Sequence, residues 1–97
     1  MAAAFSPTVL SLVRDGSDLT LRQVALVLYC AAKHRDLIAR QVKSIAEALQ
    51  IPRPGVVRSV DKLVARGLVE RQSLTADRRA SVVALTPAGW EFVARVG

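Results

Sequence analysis

The sequence predicts a mainly α-helical domain with a small β-hairpin, and three observations lead there. Two helical stripes, one ending near Gln50 and one starting near Pro54, are separated only by Ile51-Pro52-Arg53. A β-branched run follows a polar, charged stretch in TADRRASVVAL, residues 75–85. The pair Thr86-Pro87 then starts a last helix, as a capping hydroxyl followed by proline at the first helical position does.

Taken in order, Ser6-Pro7 is an earlier example of the same start signal. Val9, Leu10, Leu12 and Val13 make the next residues apolar and Gly16 can end them, so a short helix is expected from Pro7 to about Asp15. Thr20-Leu21-Arg22-Gln23 fits a capping box, and the helix it opens runs to about Lys33 or His34. Its expected buried stripe is Leu21, Val24, Ala25, Leu28 and Ala32. Leu26, Val27, Cys30 and Ala31 continue apolar around the other side, which predicts burial on more than one face, against the first helix or a partner subunit.

Leu37-Ile38-Ala39 reads as a short strand or an extended link. Gln41 is a weak cap, and Val42, Ile45, Ala46 and Leu49 form a stripe ending near Gln50. The next helix, about 53–66, holds Pro54 in its first turn, turns Val56, Val60, Leu63 and Val64 inward, and is closed by Gly67. Leu68 to Leu74 and Ser81 to Leu85 flank the polar turn Thr75–Arg79 as the arms of a hairpin. The last helix reaches about Val96, anchored by Trp90 and by Phe92 or Val93. The chain thus divides into an N-terminal arm with a short helix, residues 1–19, and one domain, 20–97.

The totals restrict the function. A chain of 97 residues supports one modest core, and with 52% apolar residues and a mean hydropathy of +0.30 part of its surface is expected to be hidden by a second chain. The net charge of +6 and sequence pI near 10.8 favour a polyanionic partner. From Arg40 to Arg79 there are nine Lys/Arg and four Asp/Glu, a net of +5, against +1 for the remainder. The opening MAAAFSP lacks the basic and long apolar regions of a signal peptide, and every apolar run falls short of the 18 or so residues of a membrane span. A cytoplasmic protein, with no membrane partner, is expected.

A helix pair followed by a basic hairpin is the order of a winged helix-turn-helix DNA-binding domain. Its second helix, about 53–66, fits the major groove, and the wing, about 74–81, can reach an adjacent minor groove. At 100° per residue Pro54, Arg58, Asp61 and Lys62 point outward. Arg53 lies at the helix N-terminus, where backbone N–H groups favour phosphate. Arg53 and Arg58 are the candidate base readers, since arginine bridges guanine O6 and N7; Val57 can touch a thymine methyl, and Lys62 lies on the same face. Lys43 and Arg40 are candidate phosphate contacts. The competing reading is a solvated helix face with Arg58 paired to Asp61 one turn on. Arginines at the hairpin tip, Arg78 and Arg79, suit a narrow A·T-rich minor groove.

The stretch SIAEALQIPRPGVVRSVDKLVARGLVERQSLTADRRASVVALTPAGWEFV resembles the winged-helix core of the MarR family of bacterial transcription regulators. The matching pieces are IAEAL, VDKLVARGLVER, the wing pattern D-x-R at Asp77–Arg79, and the LTPAG that leaves the wing; LTLRQVALVLYCAAKH resembles the preceding helix. The resemblance covers roughly residues 20–95. It implies a homodimeric regulator of double-stranded DNA, usually a repressor acting on the bacterial nucleoid, and often relieved by a small ligand or by oxidation. It maps Arg79 onto the groove contact and Asp77 onto the residue that shapes the turn or orients Arg79, with Arg78 an extra charge between them. Val9, Leu10, Val13 and Val27 are the expected dimer contacts. Two departures stand out. Only about 19 residues precede the Thr20 helix and about eight follow Gly89, where the family usually has longer dimer-forming helices. Pro52, Pro54 and Gly55 stand where the family tends to have Ser and Thr, so Pro54 and Gly55 replace hydroxyls on the DNA side.

The alternatives are a winged-helix adaptor that mainly binds another protein, and a nucleoid- or replication-associated DNA-binding protein. No catalytic constellation or cofactor motif is present: Cys30 and His34 lie four apart with no orienting group, and no Gly-rich phosphate loop precedes a helix. One His and one Cys do not make a zinc site, so no metal is expected. Cys30 reads as a small core hydrophobe rather than an oxidation sensor, His34 as a surface residue at a helix end, and Trp90 as core.

Overall fold

The structure is a computed structural model that describes residues 19–73 and 81–96. The expected helix from Pro7 to Asp15, the dimer contacts Val9, Leu10 and Val13, and the wing residues Asp77, Arg78 and Arg79 lie outside the described residues. Four helices and one hairpin follow in order: α1 (Leu21–Ala32), α2 (Val42–Leu49), α3 (Arg53–Ala65), β1 (Val69–Ser73), β2 (Ser81–Leu85) and α4 (Pro87–Val96). This is the mainly α, winged helix-turn-helix architecture expected from the sequence.

The capping box opens α1 as its residue types dictate. Thr20 Oγ1 accepts from the Gln23 N–H at 3.2 Å, and Gln23 Oε1 accepts from the Thr20 N–H at 3.1 Å. The buried face of α1 is different from the expected stripe: Gln23, Val24, Leu26, Val27 and Cys30 point inward, while Leu21 is 85% exposed and Ala32 is exposed. Periodicity offered two apolar stripes; α1 touches α2, α3, α4 and β2, and those neighbours select the Leu26–Val27–Cys30 side. Val27, expected at a dimer contact, is therefore wholly buried within its own protomer.

Both helices of the motif end in the same device. After α2, Gln50 adopts a left-handed conformation (φ 54°), the Ile51 N–H reaches the Ala46 carbonyl at 3.0 Å, and the Gln50 N–H reaches Glu47 at 3.4 Å. After α3, Gly67 does so (φ 74°), with Leu68 bonded to Leu63 at 3.0 Å and Gly67 to Val64 at 2.9 Å. These are Schellman closures, which satisfy the last carbonyls of a helix and turn the chain sharply. The turn of the motif is thus made by a glutamine in a conformation that suits glycine. Along α3 the inward face is Val56, Ser59, Val60 and Leu63; Val64, expected inward, is 38% exposed because it lies one step past that narrow stripe.

The hairpin pairs Val69 with Leu85 through to Ser73 with Ser81. Val82 and Val83 are both buried, and adjacent strand residues face opposite ways, so β2 is covered on both faces. In β1 only Val69 is buried. Thr86 joins hairpin, α3 and α4: its hydroxyl donates to the Gly67 carbonyl at 2.5 Å and accepts from the Gly89 N–H at 3.1 Å, and its own N–H reaches the Leu68 carbonyl at 3.1 Å. Gly89 follows from that closeness, since a Cβ there would collide with the Leu68 carbonyl oxygen. Phe92 and Val96 anchor α4. Trp90, expected in the core, is 41% exposed and meets His34 edge-on, ring centres 5.4 Å apart.

Residues 33–41 form turns rather than the strand considered for Leu37–Ala39. Asp36 Oδ1 accepts from the Ala39 N–H at 3.0 Å, and the Tyr29 hydroxyl donates to the Ala39 carbonyl at 2.8 Å. Desolvation first, then the Cys30 and Asp36 charges, raises the Tyr29 pKa. Arg40 is only 6% exposed. Its Nη1 donates to the Val83 carbonyl at 2.8 Å and its Nε to the Lys33 carbonyl at 3.2 Å, while its own carbonyl accepts the Val83 N–H at 3.0 Å. One residue thereby ties the end of α1 to the middle of β2.

Cys30 is buried in the core beside these groups. Burial pushes its thiol up to about 12, against a smaller lowering by Arg40. The stability this contributes is fully present below the unfolded-state thiol pKa of about 8.5 and falls away as pH rises towards about 12. The native thiol is expected to resist a disulfide-exchange reagent at neutral pH and to react at the rate of unfolding; rapid stoichiometric labelling of folded protein would contradict this.

Four substitutions have expected outcomes in denaturant titrations. Gln50→Gly should stabilise the domain by about 1 kcal/mol and Gly67→Ala should destabilise it by about 1–2 kcal/mol, both through the left-handed backbone alone, since nothing lies within 4 Å of a Cβ at Gly67. Arg40→Ala should cost about 2–4 kcal/mol from two lost charge-assisted bonds. Arg40→Lys should recover little of it, because an ammonium lacks the planar fork that spans both carbonyls.

Candidate nucleic-acid interface

With Val56, Ser59, Val60 and Leu63 turned into the core, the opposite face of α3 is set by helical geometry. Arg53, Pro54, Val57, Arg58, Asp61 and Lys62 are exposed, and residues 54, 57, 58, 61 and 62 form one continuous outward stripe. The structure thus brings together five of the sequence-predicted contacts: Arg53, Pro54, Val57, Arg58 and Lys62. Gly55 is half-buried at the start of the same helix.

The helix starts differ in a way that bears on charge. The capping box of α1 gives side-chain acceptors to the Thr20 and Gln23 N–H groups. Neither α2 nor α3 has a side-chain cap, and neither has an acidic residue in its first turn. Each carries a cation there instead: Lys43 on α2 and Arg53 on α3, both exposed. A cation at the positive end of a helix is unfavourable in isolation by a few tenths of a kcal/mol or more. In α3 the Val56 N–H makes the first intrahelical bond, to the Pro52 carbonyl at 3.1 Å, and Pro54 has no N–H to offer. This end of the motif is electropositive and open to an anion.

The one acidic group on the outward stripe is taken up elsewhere. Asp61 accepts from Arg71 Nη2 on β1 at 2.5 Å. The pair is exposed, so it adds little stability. It neutralises a carboxylate that would repel phosphate, and it takes Asp61 from the partner that the solvated-face reading assigned to it, Arg58. Sequence inspection missed Arg71 because its role depends on β1 running back past α3, and no local pattern reports that. Lys43 has the exposure a phosphate contact needs. Arg40 does not: its guanidinium is committed to two carbonyls inside the protomer, so its expected role as a phosphate contact is replaced by a structural one.

A shallow hollow of about 680 Å³ is lined by Ala32–Ile38, and no outward residue of α3 belongs to it. Among the described residues no group of three or more His, Cys, Asp or Glu is placed to hold a metal ion, and no helix is long and apolar enough to cross a membrane.

The arrangement matches known proteins. The structure is similar to Staphylococcus aureus MepR, solved as a point mutant bound to an oligodeoxyribonucleotide, with TM-score 0.80 and 26% identity over 92% of this chain and 62% of that one. A second structure, the S. aureus MepR–DNA complex, matches with TM-score 0.73 and 25% identity over 90% of this chain and 59% of that one. A MarR-like transcriptional regulator from Thermotoga maritima matches with TM-score 0.68 and 33% identity over 86% of this chain and 56% of that one. The chain therefore spans about three-fifths of the length of the solved structures it matches. A sequence model of the MarR family matches residues 17–80, well over half of the chain. With the helix pair, the hairpin and the LTPAG exit all in place, the chain belongs to the MarR family.

Proposed function

We propose that this protein is a sequence-specific double-stranded DNA-binding transcriptional regulator that acts as a repressor, by occupying its site on the bacterial nucleoid. In this reading α3 enters the major groove with Arg53 and Arg58 on base edges and Lys62 alongside, Lys43 holds backbone phosphate, and the wing, with Arg78 and Arg79, enters a minor groove. The observation that carries it is electrostatic: both helices of the motif begin uncapped, with a cation where a helix favours an anion, and the single carboxylate on the outward stripe of α3 is neutralised by Arg71. An isolated domain gains nothing from that arrangement; a polyanion does. The DNA complexes of MepR support the same reading.

The protein acts as a homodimer in this reading. Leu37, Ile38 and Trp90 remain exposed and offer apolar surface to a second protomer. Recognition helices of two protomers would then enter successive major grooves.

If each dimer neutralises about six to eight phosphates, log K against log salt should slope by roughly −5 to −7. Arg58→Ala should cost about 1–3 kcal/mol on the specific site and relax discrimination at one base pair. A flat salt response would sink the reading. Unchanged DNA affinity in Arg53→Ala/Arg58→Ala, with a protein still co-purifying, would favour the adaptor.

A further inference from the structure

The first turn of α1 lies against the first turn of α3, and the contact between them is made by Arg22. A Cβ built on Gly55 would stand 3.2 Å from Arg22 Nη1 and 3.0 Å from Ile51 Cγ2. The guanidinium therefore rests over the bare face of Gly55, in space that any larger residue would compete for. Gly55 is helical and has no unusual φ, so backbone freedom does not account for a glycine here; room for Arg22 and Ile51 does. Arg22 is exposed, and among the described residues neither a hydrogen bond nor an ion pair holds it.

The first turn of α3 thus has a cation on two sides, Arg22 against Gly55 and Arg53 at the helix start. Arg22 comes from α1, and Arg53 stands two residues before Gly55 in the uncapped first turn of α3. An exposed guanidinium without a protein partner, set beside an uncapped helix start, is available to a phosphate. We propose that Arg22, seated on Gly55, is a further DNA-backbone contact, and that by gripping a phosphate from α1 it sets how deeply α3 sits in the groove. This rests on the DNA-binding reading above. It also changes the part played by Gly55: the glycine serves DNA by seating an arginine rather than by approaching a base.

The test is anisotropy of a labelled random-sequence duplex, titrated with the full chain over a range of salt. Arg22→Ala should weaken binding several-fold and make the salt slope shallower by about 0.9 per protomer, as loss of one phosphate contact does. Gly55→Ala keeps the charge and moves the guanidinium only slightly, so it should weaken binding less than Arg22→Ala with the slope little changed, and adding it to Arg22→Ala should weaken binding no further. Arg22→Ala removes an exposed side chain and carries the test alone if Gly55→Ala does not fold. Unchanged affinity and slope in Arg22→Ala, while Arg53→Ala weakens binding, would overturn this inference and leave the DNA-binding reading intact. A wild-type chain whose binding ignores salt would overturn that reading, and this inference with it.

Discussion

The hairpin of this domain is held to its helices by the buried guanidinium of Arg40. Val83 on β2 gives its N–H to the Arg40 carbonyl and its own carbonyl to Arg40 Nη1, so a single residue closes the edge of the hairpin as a third strand would. The same side chain donates through Nε to the Lys33 carbonyl, where a cation also suits the negative end of α1. That junction fixes how the hairpin strands stand against the helices, beside the tie that Thr86 makes to the end of α3. β2 is fixed on α1, β1 is fixed on β2 by the ladder, and Arg71 on β1 reaches Asp61 on α3. A buried charge is costly unless its donors are used, and here the carbonyls at a helix end and a strand edge use them.

The distribution of caps divides the helices into two pairs. α1, central to the core, opens with a full capping box, and α4 opens on Thr86, whose hydroxyl also ties it to the end of α3. α2 and α3 forgo side-chain caps and hold Lys43 and Arg53 in their first turns. Both also end on left-handed residues, one a glycine and one a glutamine, so the tight turn of the motif carries backbone strain at Gln50. The conflicts between local preference and the adopted fold thus gather at the helix pair, the place where the proposed function needs them.

Much of the fold was legible because its signals are local. Thr20 and Gln23 are three residues apart and meet across one turn; Thr86-Pro87 starts α4; Ser81–Leu85 is a strand from its first residue to its last. Of the candidate interface, Arg53, Arg58 and Lys62 could be placed on the outward side of α3 because Val56, Val60 and Leu63 marked the inward one. Arg22 gave no such signal, being an ordinary polar position on α1 whose neighbour in space, Gly55, lies far along the chain. Arg40 was misread for the related reason that a charged residue beside a basic helix looks exposed until the strand that buries it arrives from residues 81–85.

Over the described residues the sequence by itself therefore determined the four helices and the hairpin, their order, and the caps of α1 and α4, since these follow from hydrogen bonds and packing within a turn or two of helix. It also determined the sign and location of the charge. Only the tertiary structure decided which of two apolar stripes of α1 faces inward, why Val27 is unavailable to a second subunit, why Trp90 sits at the surface, and which partner Asp61 takes. The physical reason is that an apolar face or a charge carries no address. Burial and pairing are settled by whichever element the topology brings alongside, and no local spacing encodes that.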